Sequence, residues 1–354
     1  MELAELTNEQ RRQLIDVKQA FDVWRSAQRQ FANSYKGTLR WKKSKDHEYL
    51  YRTVYRGTLE ISKSLGRRSP RTEKIKEDYT NSRTRLRQRL TKLQTRLKGM
   101  ARINRALRLN RVPSTEARIL SVLDREGLLG KQIFVVGTNA LFAYELMAGI
   151  LFPGDLLATK DMDLLWDHRP RLSLVVTDVE THGVLGILRE VDSSFKPAAQ
   201  RSFRAENDQG YLVDLIRPQE ADLRLNAPEK IGQSEEDLYA VGIQGLQWLV
   251  NAPKVEETVI GSDGMPILMS CIDPRAFALH KLWVSRRSDR SPAQRPRDVA
   301  QAAAIAALVS AYLSLSFESR DLSALPKELR ELSPELKKMA KAWLKENPII
   351  QDEQ

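Results

Sequence analysis

Cysteine is almost missing from this chain: Cys271 is the only one in 354 residues. A lone thiol excludes an internal disulfide and fits a reducing compartment. Histidine is scarce as well. His47, His168, His182 and His280 show no zinc-ligand spacing, and no Ser-His-Asp or Cys-His arrangement suggests nucleophilic catalysis. No run of residues is long and apolar enough for a confident membrane span. The longest uncharged stretch, Val299 to Phe317, is rich in Ala, Ser and Gln and reads as a buried helix. The start, MELAELTNEQ, is acidic and lacks a basic-then-apolar signal pattern, so a cytoplasmic location is expected.

Acidic residues are missing from one long stretch. From Tyr79 to Arg111 there are eleven Lys and Arg and no Asp or Glu, which equals the +11 net charge of the whole chain. Tyr79 is the only aromatic there, so phosphate contact rather than base stacking is the expected use. Ser69-Pro70 supplies an N-cap and a first-turn proline, and Pro113 is a stop. Leu86, Leu90, Leu93, Leu97 and Met100 recur at spacings of 4, 3, 4 and 3, a heptad-like seam. One long helix, apolar on one side and basic elsewhere, is expected, paired with the amphipathic segment Asn8–Ser34 that Thr7 caps. A solvated face is the plainer use of such charge. Eleven positives without a counter-charge repel one another, however, and a polyanion such as RNA relieves that cost. Tyr49-Leu50-Tyr51-Arg52, Tyr55-Arg56 and Leu65–Ser69 form an aromatic-basic cluster that either packs on a helix or holds an acceptor phosphate.

Two carboxylates, Asp161 and Asp163, stand in the run LATKDMDLLWD. On a strand, positions i and i+2 face the same way. Like charges among Leu164, Leu165 and Trp166 are costly unless a cation neutralises them, and Mg²⁺ with substrate phosphates suits such a site. Upstream, Ile133–Val136 reads as a buried strand ending at Gly137, with Thr138 and Asn139 as helix-cap types before a helix over Ala140–Met147. A strand, a glycine turn and a helix start offer free backbone N–H groups to a triphosphate. A third carboxylate, Asp214, lies inside the apolar run Tyr211–Ile216.

These elements resemble the DNA polymerase β-like nucleotidyltransferase superfamily: a glycine turn opening a helix (Gly137-Thr138, with Thr where Ser is usual), two alternate acids (Asp161, Asp163) and a later acid (Asp214). The string GTNALFAYELMAG…LATKDMDLLWD looks like a bacterial branch of it. Asp273 to Trp283, Arg286, Arg287 and Arg297-Asp298 look like the helical half of abortive-infection nucleotidyltransferase toxins, with Arg297 departing from the usual Lys. The likeness covers roughly residues 130–300. It implies two Mg²⁺ or Mn²⁺ ions on Asp161, Asp163 and Asp214, with Asp214 also able to take the acceptor's proton. It implies an NTP whose phosphates meet Gly137, Thr138, Asn139 and Lys160. Lys281 would neutralise the leaving pyrophosphate, helped by Arg286 or Arg287, with Asp298 completing the site. Transfer of a nucleotide to RNA such as tRNA is the expected activity, in a toxin or phage-defence role. The alternatives are a protein or small-molecule acceptor, or a nucleic-acid-binding protein with a vestigial fold. The Leu86–Met100 seam is a candidate face for an antitoxin or a second copy.

The expected fold is α+β, a mixed sheet with helices. It has a basic helical, coiled-coil-like module at 1–115, a catalytic core at 116–270 and a helical region at 271–354. Within the core, strands are expected at Leu172–Val176, Ser202–Ala205 and Tyr211–Ile216, a helix at Asp178–Glu190, and a hairpin, Glu257–Ile260 and Met265–Ser270, about Gly261–Gly264. Helices are expected from Pro274, over Ala300–Leu313 and over Pro334–Lys345. Arg286 to Arg297 reads as a polar loop.

Overall fold

The computed structural model describes residues 3–56, 59–169, 177–220 and 227–350. The expected strand at Leu172–Val176 lies outside them. The chain forms two compact units: Met1–Arg11, Asn110–Ser262 and Ile267–Gln354 make one, and Arg12–Leu109 with Asp263–Pro266 make the other.

The chain opens with β1 (Leu3–Glu5) and α1 (Asn8–Ser34). The cap of α1 is reciprocal, with Thr7 N donating to Gln10 Oε1 (2.8 Å) and Gln10 N to Thr7 Oγ1 (3.2 Å). Three strands follow, β2 (Thr38–Ser44), β3 (His47–Arg56) and β4 (Leu59–Arg67), in an antiparallel sheet of that order. The aromatic-basic cluster is therefore sheet, where no strand was expected. Leu50 is buried at its centre, and Arg68 and Lys76 stand over the Trp41 ring at 5.2 and 5.5 Å. The basic helix α2 (Pro70–Ala106) starts where Ser69-Pro70 predicts, and Ser69 and Thr72 make a capping box.

The two long helices run antiparallel. Tyr79 Oη donates to the carbonyls of Tyr35 (3.2 Å) and Gly37 (3.0 Å), Arg83 lies over Phe31, and near the other end Gln13 Nε2 donates to Asn104 Oδ1 (2.8 Å). Asn104, fully buried, passes its own N–H to the Gly264 carbonyl (2.8 Å). The leucine seam is used inside this unit: Leu86 and Leu97 are buried, and Leu90, Leu93 and Met100 half-buried. Flanking the seam, Arg85, Arg89, Lys92 and Arg96 are all exposed.

The other unit carries α3 (Ser114–Arg125), β5 (Ile133–Val136), α4 (Leu141–Ala148), β6 (Ile150–Leu151), α5 (Gly154–Leu157), β7 (Asp161–Trp166), α6 (Thr177–Val191), β8 (Lys196–Pro197), β9 (Arg204–Glu206) and β10 (Leu212–Pro218). It continues with β11 (Glu229–Lys230), β12 (Tyr239–Ile243), α7 (Leu246–Asn251), β13 (Lys254–Ile260), β14 (Pro266–Ile272), α8 (Pro274–Ser285), α9 (Arg295–Ala311), α10 (Lys327–Arg330), α11 (Ser333–Glu346) and β15 (Ile349–Ile350). The main sheet runs β11-β12-β10-β7-β5-β14-β13, with β9 attached to β10 and β8 to β9. It is mixed: β7 is antiparallel to β5 and parallel to β10. Its middle strands are apolar nearly throughout, as strands buried on both faces must be. Phe134, Val135, Met162, Leu164, Val213 and Leu215 are all buried. The uncharged run expected as a buried helix is α9, in which every residue from Ala302 to Val309 is buried. A small sheet, β15-β1-β6, closes this unit. The fold is α+β, and no helix among the described residues is long and apolar enough to cross a membrane.

Candidate active site

The acids converge because of strand register. Asp163 pairs with Val136 on one side and with Asp214 on the other, so Asp163 and Asp214 sit side by side, with Asp161 two residues along on the same face. Gly137 follows Val136 at φ +68°, a left-handed conformation, and a Cβ there would meet Asp163 Oδ2 at 2.2 Å. Only glycine lets the turn press against this carboxylate.

Thr138 to Ala140 form a short 3₁₀ turn leading into α4. Asn139 Nδ2 donates to the Asp161 carbonyl (2.7 Å), while its Oδ1 is buried without a partner among the described residues. Gln301, fully buried on α9, donates to Thr138 Oγ1 (3.1 Å), and its Oε1 likewise lacks a partner. Thr159 donates its hydroxyl to Asp161 Oδ1.

Charge is concentrated and unevenly matched. Burial, then Asp161 and Asp214, pushes the Asp163 carboxyl up to about 7, against the pull of Lys281 and Arg290. Asp214 is held differently. Arg204 donates Nε to its Oδ1 (2.7 Å) and Nη2 to its Oδ2 (2.6 Å). On the helical side, Asp298 is 1% exposed and accepts from Lys281 Nζ (2.8 Å) and from Arg290 Nε (2.6 Å) and Nη2 (3.1 Å). Burial raises this carboxyl, and the two cations outweigh it and hold it below the usual range. Asp298 thus orients two cations within the field of Asp163.

The structure therefore brings together Gly137, Thr138, Asn139, Asp161, Asp163, Asp214, Lys281 and Asp298. Lys160 is exposed beside them, its carbonyl taking the Leu212 N–H (2.9 Å). Arg286 and Arg287 have other engagements: Arg286 pairs with Glu335, and Arg287 with Asp289 (2.7 Å) and Gln244 (3.0 Å) while covering the Trp283 ring. They line a separate cleft with Gln244, Glu328 and Leu332. Arg297 and Asp298 also point apart, since Arg297 donates to the Ala158 carbonyl. Sequence reading missed Arg204, Arg290 and Gln301. Arg204 was legible in principle as a residue of the strand before Asp214; the other two carry no local signal.

Among the described residues, no group of three or more His, Cys, Asp or Glu is arranged to hold a metal, and Arg204 occupies both oxygens of Asp214. Asp161 and Asp163 fit a divalent cation on chemical grounds: hard oxygen donors, mutual repulsion and, on Asn139 next to Asp161, a partnerless oxygen.

The nucleotidyltransferase family's sequence profile matches residues 114–326, which include every residue of this site. No curated protein matches the chain. The solved structure of an antigenic nucleotidyltransferase-like protein from Paracoccidioides brasiliensis is 15% identical, over 65% of this chain and 92% of its own, with a TM-score of 0.31. With its profile match spanning more than half its length, the chain belongs to the nucleotidyltransferase family, enzymes that move a nucleotidyl group from a nucleoside triphosphate.

Proposed function

We propose that the chain transfers a nucleoside monophosphate from an NTP to a hydroxyl of RNA, with Mg²⁺ or Mn²⁺ held by Asp161 and Asp163. The observation that carries this reading is the concentration of carboxylate against the Gly137 turn, where burial and then the neighbouring Asp161 and Asp214 push Asp163 up to about 7. A divalent ion there would supply positive charge to the triphosphate. The turn from Gly137 to Asn139 presents backbone N–H groups to the β and γ phosphates. Lys281 and Arg290, oriented by Asp298, lend further positive charge as pyrophosphate leaves. The acceptor oxygen attacks the α-phosphorus, the bond to the β-phosphate oxygen breaks, and the hydroxyl proton passes to a carboxylate of the cluster.

RNA is favoured as acceptor by charge. Residues 12–109 with 263–266 hold 27 Lys and Arg against 9 Asp and Glu, a net +18, while the remainder is −7. A unit so one-sided favours a polyanion. The resemblance to abortive-infection toxins makes tRNA the first RNA to test. The test is incubation with each labelled NTP, Mg²⁺ and either total RNA or cell lysate. Label in RNA is the expected result. Label in protein or in small molecules alone would overturn the acceptor, and no label anywhere would overturn the activity.

A further inference from the structure

Arg204 stands opposite Asp214 across the antiparallel pair β9–β10. Both guanidinium contacts, at 2.6 and 2.7 Å, are charge-assisted and bidentate, one to each carboxylate oxygen. That fork leaves the carboxylate few directions in which to bind anything else. Asp214 is buried, and the Arg204 side chain is 39% exposed. The backbone beneath it is fixed: Arg204 N donates to Ser202 Oγ (3.0 Å), and its carbonyl takes the Ala198 N–H (2.9 Å). Asp214, and behind it Asp161 and Asp163, strengthen this guanidinium's hold on its proton, so it lies in the field of all three acids.

With both oxygens of Asp214 held by one guanidinium, Asp161 and Asp163 are the acids of this group to which no cation is hydrogen-bonded among the described residues, and the pair suits a single divalent ion. We propose that Arg204 is a built-in cation that takes the place of the second metal ion, so that the chain binds one divalent cation, at Asp161 and Asp163, and Asp214 ligates none. This rests on the reading of Asp161 and Asp163 as cation ligands. It departs from the two-ion expectation by fixing the number of ions and the partner of Asp214.

The test counts Mn²⁺ bound to the full chain, without nucleotide, from the electron paramagnetic resonance signal of the free ion. Wild type binds one equivalent. Arg204→Met, similar in length and uncharged, frees Asp214 and raises the count to two, while Arg204→Lys keeps a positive partner and the count of one. A charge-balanced double variant, Arg204→Met with Asp214→Asn, covers the case in which the single variant fails to fold. It binds one equivalent with wild-type affinity. Two equivalents on wild type, one on folded Arg204→Met, or no ion on the double variant each overturn the proposal. No ion on wild type would sink the reading of Asp161 and Asp163 and this proposal with it, whereas two ions would sink this proposal alone.

Discussion

At Asp163 burial and two neighbouring acids oppose two cations, and burial with the acids wins. The carboxyl titrates near 3.8 in an unstructured chain and at about 7 when folded. Between those values the folded form keeps a proton the unfolded form has lost. Its stabilising contribution is thus complete below about pH 4, falls as pH rises, and is gone above about 7. Asp163→Asn should therefore be more stable than wild type at pH 8 without divalent ions, by about 1–4 kcal/mol. The gap should close toward pH 4. Calorimetry across pH reads it, and equal stability at pH 8 would contradict the account. Asp298 works in the other direction. Asp298→Ala strands Lys281 and Arg290 against each other and should cost about 3–5 kcal/mol in urea unfolding. Lys281→Ala should instead weaken nucleotide binding strongly and Lys281→Arg only partly. Nucleotide titration distinguishes the two, and unchanged binding in Lys281→Ala would remove it from the site.

At the scale of elements, the turn after β5 is the most constrained part of the site. Gly137→Ala adds a Cβ 2.2 Å from Asp163 Oδ2 at a positive φ, so strain and clash combine. A loss of about 2 kcal/mol or more is expected in denaturant unfolding, with nucleotide binding lost as the turn shifts. This element was legible from sequence because its signals are local: an apolar strand, a glycine, then cap residues. The caps of α1 and α2 were legible for the same reason, since Thr7 and Ser69-Pro70 sit beside the helices they start. The end of α2 was less so. It stops at Ala106, before the Pro113 breaker, because Arg108 turns to positive φ. The sheet β2-β3-β4 escaped notice because charged residues interrupt every run, as in TLRWKKS and LEISKSLGR, and little of it is buried. Arg204 escaped because its meaning lies in cross-strand register with Asp214, and Arg290 because a loop returns it to Asp298.

At the scale of the molecule, charge is divided between the units. Replacing the exposed Arg85, Arg89, Lys92 and Arg96 by Glu should flatten the slope of log RNA affinity against log salt, since each lost phosphate contact removes about 0.7–0.9. An unchanged slope would make the helix a solubility device. The central claim is that the acids on β7 transfer nucleotide, and transfer itself tests it most directly. With α-labelled NTP, Mg²⁺ and total RNA, wild type should move label into RNA. Asp161→Asn and Asp163→Asn should remain folded and move none. Transfer that persists in both folded variants would contradict the account.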